Sequence, residues 1–153
     1  MSHRIFTWRN LAAAGTISLL AACAQSAPPM VASNPPPVPP GPNATWYHVA
    51  FATGSHALDA TGQATVADVT AFLRQNPNAV ATIIGKTDTV GSANYNMHLS
   101  HERADAVRDA LVYNANVAAD RVETRWTGET RQHVATGSDV ASEQNRVVDI
   151  AIH

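Results

Sequence analysis

The chain has a single cysteine, at position 23, so it cannot close an internal disulfide. Basic residues are scarce: ten Lys and Arg against twelve Asp and Glu give a formal charge of −2, which leaves no basic patch to recruit nucleic acid. Aromatic residues are few and scattered, and Tyr47, Phe72 and Trp126 are expected in a core. No apolar run reaches the roughly 20 residues that a membrane-spanning helix needs, and no internal repeat suggests a solenoid. Catalytic sets are missing as well. Ser55-His56 and Ser100-His101 are neighbours only in sequence, no nucleophile elbow is present, and His98, His101 and Glu102 lack the His-Glu-x-x-His order of a zinc helix. The expectation is a binding module rather than an enzyme, with no cofactor and no metal.

What the chain does have begins at its N-terminus. Arg4 and Arg9 precede an apolar stretch from Leu11 to Ala22, and Leu20-Ala21-Ala22-Cys23 follows. This is the layout of a signal peptide over residues 1–22. The small residues before Cys23 resemble a bacterial lipobox, which implies acylation of Cys23; the alternative is an ordinary signal peptide cut at an Ala-x-Ala-like site. Without its two leading arginines the chain carries 8 basic and 12 acidic residues, a net of about −4. Residues 24–44 hold eight of the nine prolines and almost no large apolar side chain, so they cannot build a core. In polyproline II geometry, at about 3.1 Å per residue, such a tether reaches on the order of 60 Å. The expected organisation is signal peptide 1–22, lipidated Cys23 with tether to 44, and one domain over 45–153. Ala24 in place of an Asp after the cysteine favours the outer membrane, with the domain facing the periplasm.

The remaining residues are enough for one compact domain. Strands are expected at 46–52, 79–87, 121–127 and 146–152, the first with Tyr47, Val49 and Phe51 on one face and the last with Val148, Ile150 and Ile152. A helix over 61–75 follows from Val66, Val69, Thr70 and Leu73, broken by Asn76-Pro77-Asn78. A second runs from Ser92, a plausible N-cap, to about Tyr113, with Ala104, Val107 and Leu111 on one side. Residues 129–144 read as a polar loop with a short helical turn. The fold class is α/β, a βαβαβ-β two-layer sandwich with a mixed sheet against two main helices. The strand-helix-strand units favour parallel pairing.

The most informative segment is Gly85 to Ala104, GKTDTVGSANYNMHLSHERA. Asp88 sits just past the carboxyl end of a strand, where open α/β sheets place ligand groups. Asn96 and Arg103 are seven apart, close to two helical turns, and share a face with Ser100 between them. A carboxylate, an amide and a guanidinium thus converge, a set suited to a zwitterion. The same spacing also fits a plain structural role, in which Asp88 ties its own turn and Arg103 pairs with a nearby acid.

The series Gly85-x-Thr87-Asp88-x-x-Gly91-Ser92, then Tyr95-Asn96-x-x-Leu99-Ser100-x-x-Arg103-Ala104, then Val107 and Leu111, resembles the OmpA-like C-terminal domain shared by OmpA, Pal and MotB. The resemblance extends to Phe51 through Leu58, to Gly128-Glu129 and to Asn145-Arg146. It implies a domain that binds peptidoglycan non-covalently through the diaminopimelate of the stem peptide. Asp88 would take the ligand ammonium and Arg103 its carboxylate. Asn96, backbone amides near Thr87, and Arg146 would be supporting contacts. Two departures stand out. Lys86 replaces a usual His or Tyr and adds a positive charge near the site, suited to a second carboxylate. Val147 replaces a second Arg, leaving Arg146 as the only cation there. The implied function is an outer-membrane lipoprotein that anchors the membrane to the wall. The alternative is an envelope interaction protein, Pal-like or a secretion-system subunit, whose domain mainly docks other proteins. Replacing Asp88 or Arg103 by Ala is expected to abolish wall binding with little change in thermal stability.

Overall fold

A computed structural model describes residues 44–153; the signal segment, Cys23 and the proline tether lie outside the described residues. Four strands form one sheet: β1 Thr45–Ala50, β2 Ala81–Gly85, β3 Val122–Trp126 and β4 Val147–Ile152. Two helices, α1 Ala60–Gln75 and α2 Ala93–Asp109, pack on it. Among the described residues no helix is long and apolar enough to cross a membrane.

Each helix begins where the sequence offers a side-chain acceptor. Asp59 Oδ1 takes the Gly62 N–H at 2.7 Å, and Ser92 Oγ takes that of Tyr95 at 3.2 Å. The α1 stripe Val66, Val69, Thr70 and Leu73 is buried, and the helix stops at Asn76 as the following Pro77 requires. At its far end α2 widens into a π turn over Ala110–Asn114, closed by Ala115 N–H to the Ala110 carbonyl at 3.1 Å. The path therefore extends as far as the periodicity predicts, with a looser last turn.

The sheet order is β1-β4-β2-β3. β4 runs antiparallel to both β1 and β2, while β2 and β3 are parallel. The mixed sheet agrees with expectation, and β1 and β2 do run in the same direction, but β4 lies between them. A strand in that position has neighbours on both edges, and all six of its residues are buried. Side chains alternate across the sheet. Val49, Ile83, Val148, Ile150 and Ile152 meet the helices, where Val69, Leu73, Val107 and Leu111 complete the core. Each such side chain contributes roughly 1.5–3 kcal/mol on burial.

The aromatic residues depart from expectation. Trp126 belongs to no core: it is half-buried at the end of an edge strand, its indole stacked on His101 with centroids 3.9 Å apart. Tyr47 and Phe72 are partly buried at the rim of the core.

Gly85 ends β2 beneath α2. A Cβ built there would lie 1.9 Å from the Ser100 carbonyl oxygen, so only glycine lets helix and strand approach this closely. That contact sets the height of α2 over the turn that follows, and so positions the residues on its inner face.

Candidate functional site

Beyond Gly85 the chain leaves the sheet as Lys86-Thr87-Asp88, and α2 returns over it. Thr87 is fully buried, its N–H donating to the Gly128 carbonyl at 3.0 Å. Gly128, at φ +55, brings the β3 end against α2, where its N–H donates to Ser100 Oγ at 3.0 Å. Thr87, Asp88, Asn96, Ser100 and Arg103 are all buried around this junction. The structure thus assembles the residues that the spacing singles out.

Asp88, only 4% exposed, accepts through Oδ2 from the backbone N–H of Ser142 and from Arg146 Nη1, both at 3.2 Å. Its Oδ1 has no hydrogen-bond partner among the described residues. Arg146, the supporting cation on the sequence, is therefore the direct partner of Asp88. Its Nε also donates to the Phe51 carbonyl at 3.2 Å, which fixes the guanidinium between β1 and the end of β2.

Arg103 is more enclosed than a simple ligand clamp. It is 0% exposed and donates to three carbonyls: Nε to Ser55 at 2.8 Å, Nη1 to Lys86 at 3.0 Å and Nη2 to Ala52 at 3.0 Å. Its guanidinium carbon lies 5.3 Å from the centre of the Phe51 ring. Burial lowers its pKa to about 10; the Asp88 charge opposes that effect, Arg146 adds to it and Tyr95 opposes it. The group stays charged at neutral pH. These bonds staple the loop after β1 to the end of β2, and the loop takes part through its backbone, as its small residues Gly54 and Ser55 imply. The expectation that Arg103 can be removed with little effect on stability is corrected here, because three partly buried hydrogen bonds to backbone carbonyls would be lost with a fully buried side chain. Three of its five N–H groups are committed in this way, and two remain.

Asn96 is buried and gives Nδ2 to Glu129 Oε2 at 2.6 Å, while its Oδ1 is buried without a partner, as is Thr87 Oγ1. Glu129 and Ser142 are the residues that sequence reasoning missed. Glu129 follows the Gly128 turn, which the motif marks, so a signal existed. Ser142 acts through its backbone, which no residue type reveals. Tyr95 is 50% exposed. It lies against both Gly54 and Gly91, so it stands between the two loops that flank Asp88.

The 127–146 connection is not free. Thr89 Oγ1 donates to the Gly137 carbonyl at 2.6 Å and accepts from Val140 N–H at 3.0 Å, and Asp139 Oδ1 accepts from Gly91 N–H at 3.3 Å. Farther along, Asn145 exchanges two bonds with the Val134 backbone. These contacts hold Ser142 over Asp88.

Lys86 is corrected. Strand alternation sends its side chain to the face of the sheet away from the helices, where Nζ pairs with Asp149 Oδ2 at 2.7 Å. Only its carbonyl belongs to the site, as the acceptor for Arg103.

Comparison with known proteins agrees with this arrangement. A model of the OmpA family matches residues 50–146. "Probable lipoprotein YiaD" of Escherichia coli (strain K12) is 32% identical over 105 residues, 69% of this chain and 48% of that protein. Outer membrane porin F of Pseudomonas aeruginosa is 45% identical over 60 residues, 39% of this chain and 17% of that one. The chain thus spans about half the length of the first relative and less of the second. Among solved structures, the peptidoglycan-associated lipoprotein from Burkholderia pseudomallei has a TM-score of 0.64 at 27% identity, covering 69% of this chain and 89% of that one. The cell wall anchor of the T6SS from Pseudomonas aeruginosa has a TM-score of 0.59 at 21% identity, covering 71% and 80%, a likeness of fold. The family match runs from the last residue of β1 to Arg146, across every element that carries Asp88, Asn96 and Arg103, and the chain belongs to the OmpA family.

Proposed function

We propose that this chain is an outer-membrane lipoprotein, a binding module and not an enzyme, that holds peptidoglycan non-covalently through the diaminopimelate of the stem peptide. The observation that carries the reading is the state of Asp88: a buried carboxylate with Oδ2 committed to Arg146 and Ser142, and Oδ1 left over. An ionised acceptor with one oxygen spare suits an ammonium. The Arg103 guanidinium is close enough to feel the charges of Asp88 and Arg146, and has two N–H groups uncommitted. On this reading Asp88 takes the ammonium on the stereocentre of diaminopimelate and Arg103 the carboxylate on the same carbon. On this reading the ligand must displace the 52–55 loop and Tyr95 to reach the guanidinium, which is fully buried in the free protein. Each charged hydrogen bond contributes roughly 1.5–3 kcal/mol, so affinity per site is modest, and the repeated stem peptides of the polymer supply retention.

The relatives support a place in the envelope: one is named a lipoprotein, another an outer membrane porin, and two solved neighbours are titled a peptidoglycan-associated lipoprotein and a cell wall anchor. Cys23 as the lipid anchor and residues 24–44 as the tether complete the proposal. The test is titration of the chain with diaminopimelate-containing stem peptide and with its amidated form. Binding that is lost on amidation, and lost in Asp88→Ala while the protein stays folded, supports the clamp. Equal binding of both peptides, or an Asp88→Ala protein that still pellets with purified sacculi, sinks it.

A further inference from the structure

The face of the sheet turned away from the helices carries a second cluster, separate from the Asp88 site. His48 on β1 stands opposite Asp149 on β4, and Lys86 follows the end of β2. His133 joins them from the 127–146 connection. Asp149 is buried, with His48 Nδ1 2.8 Å from its Oδ1, His133 Nε2 3.0 and 2.9 Å from its two oxygens, and Lys86 Nζ 2.7 Å from Oδ2. The two histidines are exposed, and their rings meet edge to face at 5.7 Å. A hollow of about 290 Å³, bordered by His48, His133, Val134, Gln144 and Val147, opens beside them.

His133 Nε2 lies 3.2 Å from the Lys86 ammonium and within 3.0 Å of both carboxylate oxygens. With a proton it donates to Asp149; without one it accepts from Lys86, and its lone pair points into the cluster. A divalent cation that displaced the ammonium would take that lone pair and the carboxylate together.

We propose that His48 Nδ1, His133 Nε2 and the Asp149 carboxylate form a binding site for a divalent transition-metal ion of the zinc class, with Lys86 as the internal cation that the metal displaces. The three donor atoms already lie within 4.8 Å of one another. Two imidazoles and a carboxylate are ordinary zinc ligands, and bonds of about 2.0–2.2 Å at tetrahedral angles separate donors by about 3.3 Å. The two histidine-to-carboxylate separations, 2.8–3.0 Å, therefore need an expansion of a few tenths of an ångström. The adjoining hollow leaves room for a water or an exogenous ligand beside the two histidines. Such a metal would pin the connection that carries Ser142 to the sheet, and so steady the loop that caps Asp88.

The test is calorimetric titration of the full chain, freed of metal by chelator, with zinc chloride. One zinc per chain is expected, with a rise in Tm on binding and loss of both effects in His48→Gln and in His133→Gln. Lys86→Met removes the competing ammonium and is expected to tighten binding by about tenfold. His101→Gln, which alters a histidine already paired with Asp105, is expected to bind as the parent does. Zinc binding that survives both His48→Gln and His133→Gln, binding that weakens in Lys86→Met, or no binding at all overturns the site and leaves the cluster a salt-bridge network.

Discussion

Arg146 Nη1 donates to Asp88 Oδ2 at 3.2 Å, joining residues 58 positions apart. Both side chains are nearly out of solvent, at 14% and 6% exposure. The bond settles which oxygen of Asp88 is occupied and fixes the carboxylate in a buried turn. Arg146→Met should therefore strand a buried charge and destabilise the domain by roughly 3 kcal/mol. Urea unfolding checks it, and the double variant with Asp88→Asn should recover part of the loss. Additive losses would mean that the pair is not coupled.

Arg103→Ala is expected to lower stability by about 3 kcal/mol, since three partly buried carbonyls lose a charged donor. Arg103→Lys should fall between the two, because an ammonium keeps the charge without the planar fork. An unchanged thermal midpoint for either variant would contradict the stapling role. Wall-binding assays on Arg103 and on Asp88 variants accordingly both need a folding control, since Asp88→Ala leaves Arg146 without its partner.

Gly85→Ala tests the close approach of α2 to β2. With its Cβ 1.9 Å from the Ser100 carbonyl oxygen, the helix must lift, at a cost of roughly 2 kcal/mol or more, and stem-peptide binding should drop with it. Gly137→Ala is the matched control. Its Cβ would meet only Val140 Cγ2 at 3.9 Å, and chemical denaturation should find it near neutral.

Asp149 sets an acid limit. Burial pushes its pKa up, but the hydrogen bonds from Lys86 and His48 and the charges of Lys86 and His133 outweigh that, and the group is held below its ordinary 3.8. A carboxylate depressed on folding adds stability that is present above the unfolded pKa and lost as pH falls through the folded one. With chelator present, wild type should exceed Lys86→Met in stability at pH 6, and the gap should close on acidification below pH 4. A gap that stays constant down to pH 3 would show that Lys86 does not act through Asp149.

Much of this molecule was legible in the sequence, and the pattern of what was not is physical. Apolar spacing located both helices and all four strands to within a few residues, because burial of one face is a local signal. The motif brought Thr87, Asp88, Asn96 and Arg103 to one place, since a strand end and two helical turns fix their relative positions. Pairing partners were beyond reach: nothing near Arg146 encodes that it meets Asp88, or that His48 meets Asp149. Lys86 was different. Period-two alternation from Ile84 already assigns it to the far face, where it meets Asp149. Trp126 was misread because size suggested burial, whereas an edge strand leaves one flank for His101 to cover.

The central position of β4 also governs when the domain can form. Thr45 finds its sheet neighbour in Ile152, and β1 makes no pairing with β2, the strand nearest to it along the chain. Half the sheet therefore waits on residues 147–152 leaving the ribosome, and the high sequence separation of these pairings slows closure further. Until then the helices have only β2 and β3 to lean on. Closure of the sheet is therefore the last event in building this domain, because its central strand is the last to become available.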